Sequence, residues 1–347
     1  MGMMPGLRDL DYTAPELDAT GRSIESVQLP TGMIPWFPGG HADPWNHVEA
    51  AMALTATGRR AAAEAAYGWL AATQLDDGSW HAYYASDGSI EEHRRDTNVT
   101  AYVAAGVCHH YLSTGDDGFL QSMWPTVEAA LDWVLRWQQP GGEIAWAVSP
   151  RGEVMSATPP EAGRSAVALL AACSSVCTSL RAGIACAAAV GLDRSDWRRA
   201  LARLQGAIAT RPDAFAPKDE FAMDWYYPVL GGALDDASSV RRIEQGWSTW
   251  VIAGRGVRCR SDSAWVTTAE TAELAMACVR LGRSAEAAGL LDATRAHRMS
   301  SGAYLTGVVY PGGDQFPPGE QSTYSAAAVV LAAQMLAGSP ATTGVLG

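Results

Sequence analysis

The sequence predicts an all-α fold: about twelve helices, paired into six hairpins and closed into a single toroid whose long loops share one rim. Three observations lead there. Apolar residues recur at helical spacing through most of the 347 residues, in Ala-rich runs punctuated by Gly and Pro. The links between the runs alternate, short and then long. A turn carrying a Gln, a Gly four residues on and then a Trp recurs at Gln28-Gly32-Trp36, Gln74-Gly78-Trp80 and Gln138-Gly142-Trp146, with a weaker copy at Arg298-Gly302-Tyr304.

Taken in order, helices are expected near residues 14–28 and 45–57, the second opened by Asp43 and Pro44 as N-cap and first-turn proline. Thr57-Gly58 turns the chain into 59–74, and after a long link comes 96–114, opened by Asp96. Thr114-Gly115-Asp116 leads to 116–138, where Trp124, Trp133 and Trp137, like Trp69 before them, have the spacing of core residues. The run RSAVALLAACSSVCTSL gives 161–190 the small side chains that let inner helices approach closely. Then follow 195–209, 221–233, 237–250, 267–281 (opened by Thr267 or Thr268), 284–297 and 320–336. The long links, 29–44, 75–95, 139–160, 211–224, 251–266 and 298–319, hold the aromatics and acids. Helices buried on two sides in an inner ring, wrapped by an outer ring, satisfy this alternation. Residues 1–347 are therefore expected to form one domain, with a short flexible N-terminus (about 1–12) and a C-terminal tail (about 338–347).

Composition narrows the function. A net charge of −12 disfavours nucleic acid, which is bound by Lys and Arg that neutralise phosphates. No stretch approaches the roughly 20 uninterrupted apolar residues of a membrane span, so no membrane partner is expected. The first residues lack a basic leader and an apolar core, pointing to a cytoplasmic protein. The six cysteines sit mostly in Ala-rich helical runs and read as buried free thiols. Cys173 and Cys177 have no second ligand pair at zinc spacing, so neither metal nor cofactor is expected. A neutral or cationic substrate, and a monomer or weak homo-oligomer, fit these numbers.

With the long loops on one rim, the acids at their edges become the candidates. Asp43 is flanked by Trp36, His41 and Trp45, surroundings that raise a carboxyl pKa toward proton donation. Glu270 stands near the loop end of its helix beside Trp265, with Glu273 almost a turn further on and Asp262 as the loop alternative. Asp96, Asp224 and Glu320 occupy other loop-to-helix junctions; Tyr324 lies four residues beyond Glu320, and Tyr227 near Asp224. The loop aromatics Trp36, Trp80, Tyr83, Tyr84, Trp146, Tyr226, Trp265 and Tyr310, with His81 among them, present flat faces of the kind that stack on the C–H faces of sugars. There is no nucleophile elbow, P-loop or dinucleotide fingerprint.

The alternation of helices, the repeated turn and the acids at loop ends resemble the six-hairpin glycosidase superfamily, built on an (α/α)6 toroid. More narrowly, IPWFPGGHADPWNHVEAAMAL, DTNVTAYVAAG, FAMDWYYPVLGG, GRGVRCRSDSAWVTTAETAELA and GEQSTYSAAAVVLAA resemble a group often labelled prenyltransferase-like, which includes endo-α-mannosidases of methylmannose polysaccharide metabolism. The resemblance implies hydrolysis of an α-linked oligo- or polysaccharide, with Asp43 and a Glu of TAETAEL, Glu270 ranked first, as catalytic carboxyls. It favours inversion, with the two about 6.5 to 9.5 Å apart. Trp36, His41, Trp45, Trp80, His81, Asp96, Asp224, Tyr227, Asp262, Trp265, Glu273, Glu320 and Tyr324 would hold the sugar. Asn46 stands where a second carboxylate would complete a double-Asp site. The rival within the same fold is a terpene cyclase, since Gln74 to Trp80 fits the Q-x-x-x-G-x-W turn of those enzymes, but their D-x-D-D acid and the zinc site of prenyltransferases are missing. A non-catalytic glycan-binding protein is the third reading.

Overall fold

A computed structural model describes residues 12–158 and 165–347. The N-terminal segment expected to be flexible thus lies, but for Tyr12, outside the described residues. Six helical stretches form a closed inner ring: α2 (Pro44–Ala56), α5 (Val103–Thr114) with the short α4 (Thr97–Ala101) leading into it, α7 (Leu170–Ala189), α9 (Ala222–Leu230), α11 (Thr268–Arg280) and α13 (Thr323–Leu336). Each packs on the next, and α13 closes back onto α2. Outside lie α1 (Ala14–Glu25), α3 (Arg60–Thr73), α6 (Asp117–Leu135), α8 (Ser195–Thr210), α10 (Asp236–Trp250) and α12 (Ser284–Ala293). The inner helices are rich in Ala because they are packed on both sides; α13, TYSAAAVVLAAQML, buries eleven of its fourteen residues. The apolar α7 has the length and composition of a membrane span, but it packs against α5, α8 and α9 as a ring stave.

All six inner stretches start at the same rim. Short turns such as Gly115, left-handed at φ 66°, lead from inner to outer helices, and the long links return on the opposite rim. Those links carry small antiparallel sheets that the helical reading left as loops: β1 (Tyr83–Tyr84) with β2 (Ile90–Glu92), β3 (Arg95–Asp96) with β4 (Ala147–Val148), and a five-stranded sheet in the order β5 (Val251–Ile252), β6 (Gly256–Arg258), β7 (Trp265–Thr267), β8 (Gly307–Val309), β9 (Asp314–Gln315).

The repeated turn is the clamp of the outer wall. The amide nitrogens of Gln28, Gln74 and Gln138 each donate to the carbonyl of the Gly four residues on, and also to a carbonyl of the next outer helix, Ala62, Thr126 and Ala200 respectively, every one of these bonds at 2.9 Å. Arg298 takes the same position at the seam and reaches the Glu16 carbonyl of α1 at 3.2 Å, joining the last outer helix to the first. The chain beyond the Gly is extended, so its side chains alternate. Two residues on stand Ile34, Trp80, Ile144 and Tyr304, all fully buried. Four residues on stand Trp36, Ala82, Trp146 and Thr306, all on the central cavity.

Two boundaries differ from the sequence reading. The helix expected from 161 begins at Leu170, because Val167 accepts from Trp146 N–H and Ala168 pairs with Phe215, which holds this stretch extended; residues 159–164 lie outside those described. The expected tail is largely a helix, α14 (Pro340–Leu346), whose Ala341, Thr342, Val345 and Leu346 are buried against α5, α7 and α13 at the rim opposite the long loops.

Candidate active site

The N-terminal ends of the inner helices enclose a cavity of about 540 Å³ beneath the long loops. On α2, Asp43 is both the N-cap and a cavity residue. Its Oδ1 accepts from the backbone N–H of Trp45 (2.8 Å) and Asn46 (3.0 Å), and its Oδ2 from Trp36 Nε1 (2.5 Å) and Asn46 Nδ2 (2.6 Å). Burial pushes its carboxyl above the usual range while these four N–H donors pull it back. No N–H donor accepts a proton, so protonating Asp43 costs one of these bonds, and the four donors favour the anion against the burial that raises the group.

Glu270, in the first turn of α11, is built differently. The Thr267 hydroxyl donates to Oε2, the Cys259 thiol is its other hydrogen-bond neighbour, and among the described residues it makes no ion pair. Burial raises its pKa to about 7, and only those two groups lower it. Between these carboxyls stands Tyr324, whose phenol is raised by burial and then by Glu320, Glu270 and Asp43, and whose ring meets Trp36 edge-on at 5.2 Å.

Further round the ring, Asp96 is gripped by Arg94, Nε to Oδ1 at 2.7 Å and a terminal nitrogen to Oδ2 at 3.1 Å, with the guanidinium 5.0 Å over the Trp146 ring. Asp96 therefore makes no side-chain cap bond although it occupies the N-cap position. Asp224 joins two inner helices by accepting from Ala171 N–H at 3.3 Å, and burial lifts its pKa to about 6. Deeper, Glu49 of α2 and Glu273 of α11 line the same cavity, Glu49 raised by burial and then by the charges of Glu273 and Asp43, Glu273 by burial and the charge of Glu270. Trp45, Tyr83, Trp146, Tyr227 and Trp265 complete the walls, with Leu169, Ala171, Ala172 and Met223 as an apolar side.

A ring of carboxyls and aromatics in a largely apolar cavity suits a neutral, many-hydroxyl ligand. Comparison with known proteins agrees. An MMP endo-(1,4)-3-O-methyl-alpha-D-mannosidase of Mycolicibacterium hassiacum is 43% identical over 342 residues, spanning 96% of this chain and 89% of its own. The chain belongs to the family of that mannosidase. It is thereby a glycoside hydrolase. No protein-family model matches it. Among solved structures, a wild-type glycosidase superposes with a TM-score of 0.73 at 15% identity, over 97% of this chain and 99% of its own. A cellobiose 2-epimerase of Spirochaeta thermophila gives 0.69 at 14%, over 96% and 98%. At these identities the likeness is of fold, the (α/α)6 toroid.

In this mannosidase-family chain, Trp36, Asp43, Trp45, Asp96, Asp224, Tyr227, Trp265, Glu270, Glu273 and Tyr324, all picked from sequence, meet on the one cavity. Five others do not. Trp80 is buried, its indole N–H given to the Leu70 carbonyl at 3.0 Å, because it occupies the inward position of its turn. His81 packs edge-on against His93 at 4.9 Å, outside the cavity. His41 stands behind Trp36, 4.7 Å between ring centres, with Glu91 beside its Nδ1 at 3.5 Å. Asp262 is exposed and held by Arg260 at 3.0 Å. Glu320 precedes α13 instead of lying in its first turn, and its Oε1 accepts from Thr306 Oγ1 at 2.7 Å, so Thr306 and not Glu320 faces the cavity. The sequence reading passed over Glu49, Arg94 and Lys218. The signal for Glu49 was a lone acid on a helix otherwise too apolar to meet water, VEAAMAL.

Proposed function

We propose that this protein is an endo-acting α-mannosidase that hydrolyses α-(1→4)-linked chains of 3-O-methylmannose. The observation that carries the reading is the 43% identity, extending over 96% of the chain, to an enzyme named for that reaction. The cavity supports it. Its aromatic walls match the C–H faces of sugar rings, and its apolar side of Leu169, Ala171, Ala172 and Met223 matches methyl ethers. A second cavity of about 580 Å³ shares Asp224 and Lys218 with the first, which leaves room for a chain longer than the cleaved unit.

Glu270 is assigned the general acid. With a pKa of about 7 a large share of it is still protonated at neutral pH, and it donates that proton to the glycosidic oxygen as the bond to the anomeric carbon breaks. Asp43, held ionised by four N–H groups, is assigned the carboxylate that directs water at that carbon, for which a water takes the place of one donor on Oδ2. Tyr324 stands between them, and Asp96 with Arg94 fixes the flanking wall. This division of labour predicts inversion of the anomeric configuration.

The test is incubation with 3-O-methylated α-(1→4)-mannan oligosaccharides and their unmethylated counterparts, following fragment sizes by mass spectrometry and the first-formed anomer by proton NMR. Internal cleavage of the methylated chain to a β-anomer is the expected result. Release of single terminal sugars would overturn the endo reading, a first-formed α-anomer the inverting one, and no cleavage of any mannan the substrate.

A further inference from the structure

Beneath Asp43 and Glu270 the ring holds two carboxyls that the reaction above leaves unused. Glu49 and Glu273 are each the sixth residue of their helices, α2 and α11, so each lies in the second turn. Both are buried, both line the cavity, and the charge of Glu273 raises Glu49. Among the described residues neither has an ion-pair partner within 4 Å. The titratable groups that face them are Asp43 on α2, Tyr102 at the α4–α5 junction, Tyr226 and Tyr227 on α9, and Glu270 on α11. None is cationic.

Two neighbouring carboxylates, poorly hydrated and without a cation, do not both ionise; the pair keeps a proton. The phenols decide where it rests. Tyr226 donates to Oε2 of Glu273, and Tyr227 to Oε1 at 3.1 Å. Glu49 has one phenol partner, Tyr102, and Glu273 has two donors, so Glu273 is the member that ionises first and Glu49 keeps the proton. Both are raised, Glu49 well above its ordinary value and Glu273 to about 8, so Glu273 ionises only as pH rises through about 8.

We propose that Glu49 is a substrate-positioning residue: a neutral carboxylic acid that donates a hydrogen bond to an acceptor oxygen of the sugar at the cavity floor, with Glu273 as the member of the pair that ionises first. This rests on the saccharide reading of the cavity. An ether oxygen has no proton of its own and needs a donor, and in a cavity lined by carboxylates Glu49 supplies one.

Two variants test it. Glu49→Gln keeps the shape and an N–H donor but does not ionise; Glu49→Leu keeps the bulk and loses the donor. KM and kcat are measured on a 3-O-methylated α-(1→4)-mannan oligosaccharide from about pH 5 to about pH 9, beside Tm over the same range without substrate. The expected result is a wild-type KM that rises at least about fivefold toward the alkaline end, a Gln variant with a flat KM within about threefold of the wild-type low-pH value, and a Leu variant about tenfold or more weaker throughout, kcat changing little in each. Both carboxyls have raised folded pKa values, so the stability they confer is present at low pH and is lost as pH rises through them; the Gln variant should lose less Tm over that rise. Equal KM effects of Gln and Leu, or an unchanged Tm slope in the Gln variant, would overturn the proposal. So would a collapse of kcat in the Gln variant, which would make Glu49 a proton donor in the reaction itself. If no mannan is turned over, the Tm series still decides whether Glu49 holds the proton, so the two readings fail separately.

Discussion

The indole N–H of Trp36 donates to Oδ2 of Asp43 at 2.5 Å, and the same ring packs edge-on against Tyr324 at 5.2 Å. One side chain thus both fixes the charge of a candidate catalytic carboxylate and walls the space above it. The sequence places the two residues seven apart across the turn FPGGHAD, and the extended run after Gly32 aims Trp36 inward at the cavity.

Trp36→Phe keeps most of the ring and removes the donor. A hydrogen bond to an ionised group is worth ~1.5–3 kcal/mol, and its loss favours the protonated form of Asp43. A base must be ionised to act, so activity falls as pH drops through its pKa; raising that pKa moves the acid limb of kcat/KM to higher pH. The expected result is a limb displaced upward by about one unit and a neutral-pH kcat lower by about tenfold. An unmoved acid limb would take Asp43 out of the base role.

Glu270→Gln should cost about 10² to 10⁴ in kcat on a natural mannan, the range of a lost general acid. A mannoside with a good leaving group needs little protonation, so the variant should recover most of its rate there, whereas Asp43→Asn should not. In the unmodified protein the alkaline limb of kcat/KM should fall near pH 7, where Glu270 loses its proton. Its folded pKa lies above the 4.5 of an ordinary Glu, so the stability linked to it is complete below about 4.5 and lost as pH rises through about 7. Leaving-group rescue of Asp43→Asn instead of Glu270→Gln would exchange the two roles.

The toroid was legible because its cause is local: helical spacing and alternating link lengths fix which helix ends share a rim, and acids at those ends, Asp43, Asp96, Asp224 and Glu270, then converge without any knowledge of the loops. The position of a loop side chain depended on one finer feature. Trp36 and Trp146 follow their turn glycine by four residues and face the cavity, while Trp80 follows by two and is buried. Read at Gly plus four, the repeat names Ala82 and Thr306 beside Trp36 and Trp146, and leaves Trp80 and Tyr304 in the core. Glu49 was missed because it lies mid-helix, where no junction marks it, and its meaning depends on Glu273 more than 200 residues away.

The turn glycines divide by what lies beside them. A Cβ on Gly78, at φ +99°, would stand 2.3 Å from the Ala129 carbonyl oxygen of α6, whereas one on Gly88, at φ +83°, would meet nothing within 4 Å. Both substitutions to Ala bear the left-handed backbone penalty of ~1–2 kcal/mol. Gly78→Ala must in addition push the loop off α6 and strain the two Gln74 bonds at 2.9 Å, for a total of ~3 kcal/mol or more. Thermal unfolding of the two variants should show Gly78→Ala clearly the less stable; equal Tm losses would mean that the clamp does not hold the outer wall.

The helix α14 closes the ring at the end away from the cavity. Its Val345 and Leu346 are buried, and Thr342 Oγ1 lies 3.2 Å from His109 Nε2 at the foot of α5. Removing residues 340–347 exposes both the two aliphatic side chains' contacts and a His held neutral, since burial brings His109 to about 3. The aliphatic burial alone amounts to ~3–6 kcal/mol. With water admitted, His109 regains a pKa nearer that of a solvated imidazole, so the truncated chain should become charged there at mildly acidic pH, where the full chain does not. The truncated protein is therefore expected to melt several degrees lower, to bind a hydrophobic dye at its base, and to keep its KM for the sugar, because the cavity opens on the other rim. A KM that rises while Tm holds would show instead that the foot of the ring and its mouth are mechanically coupled through α5.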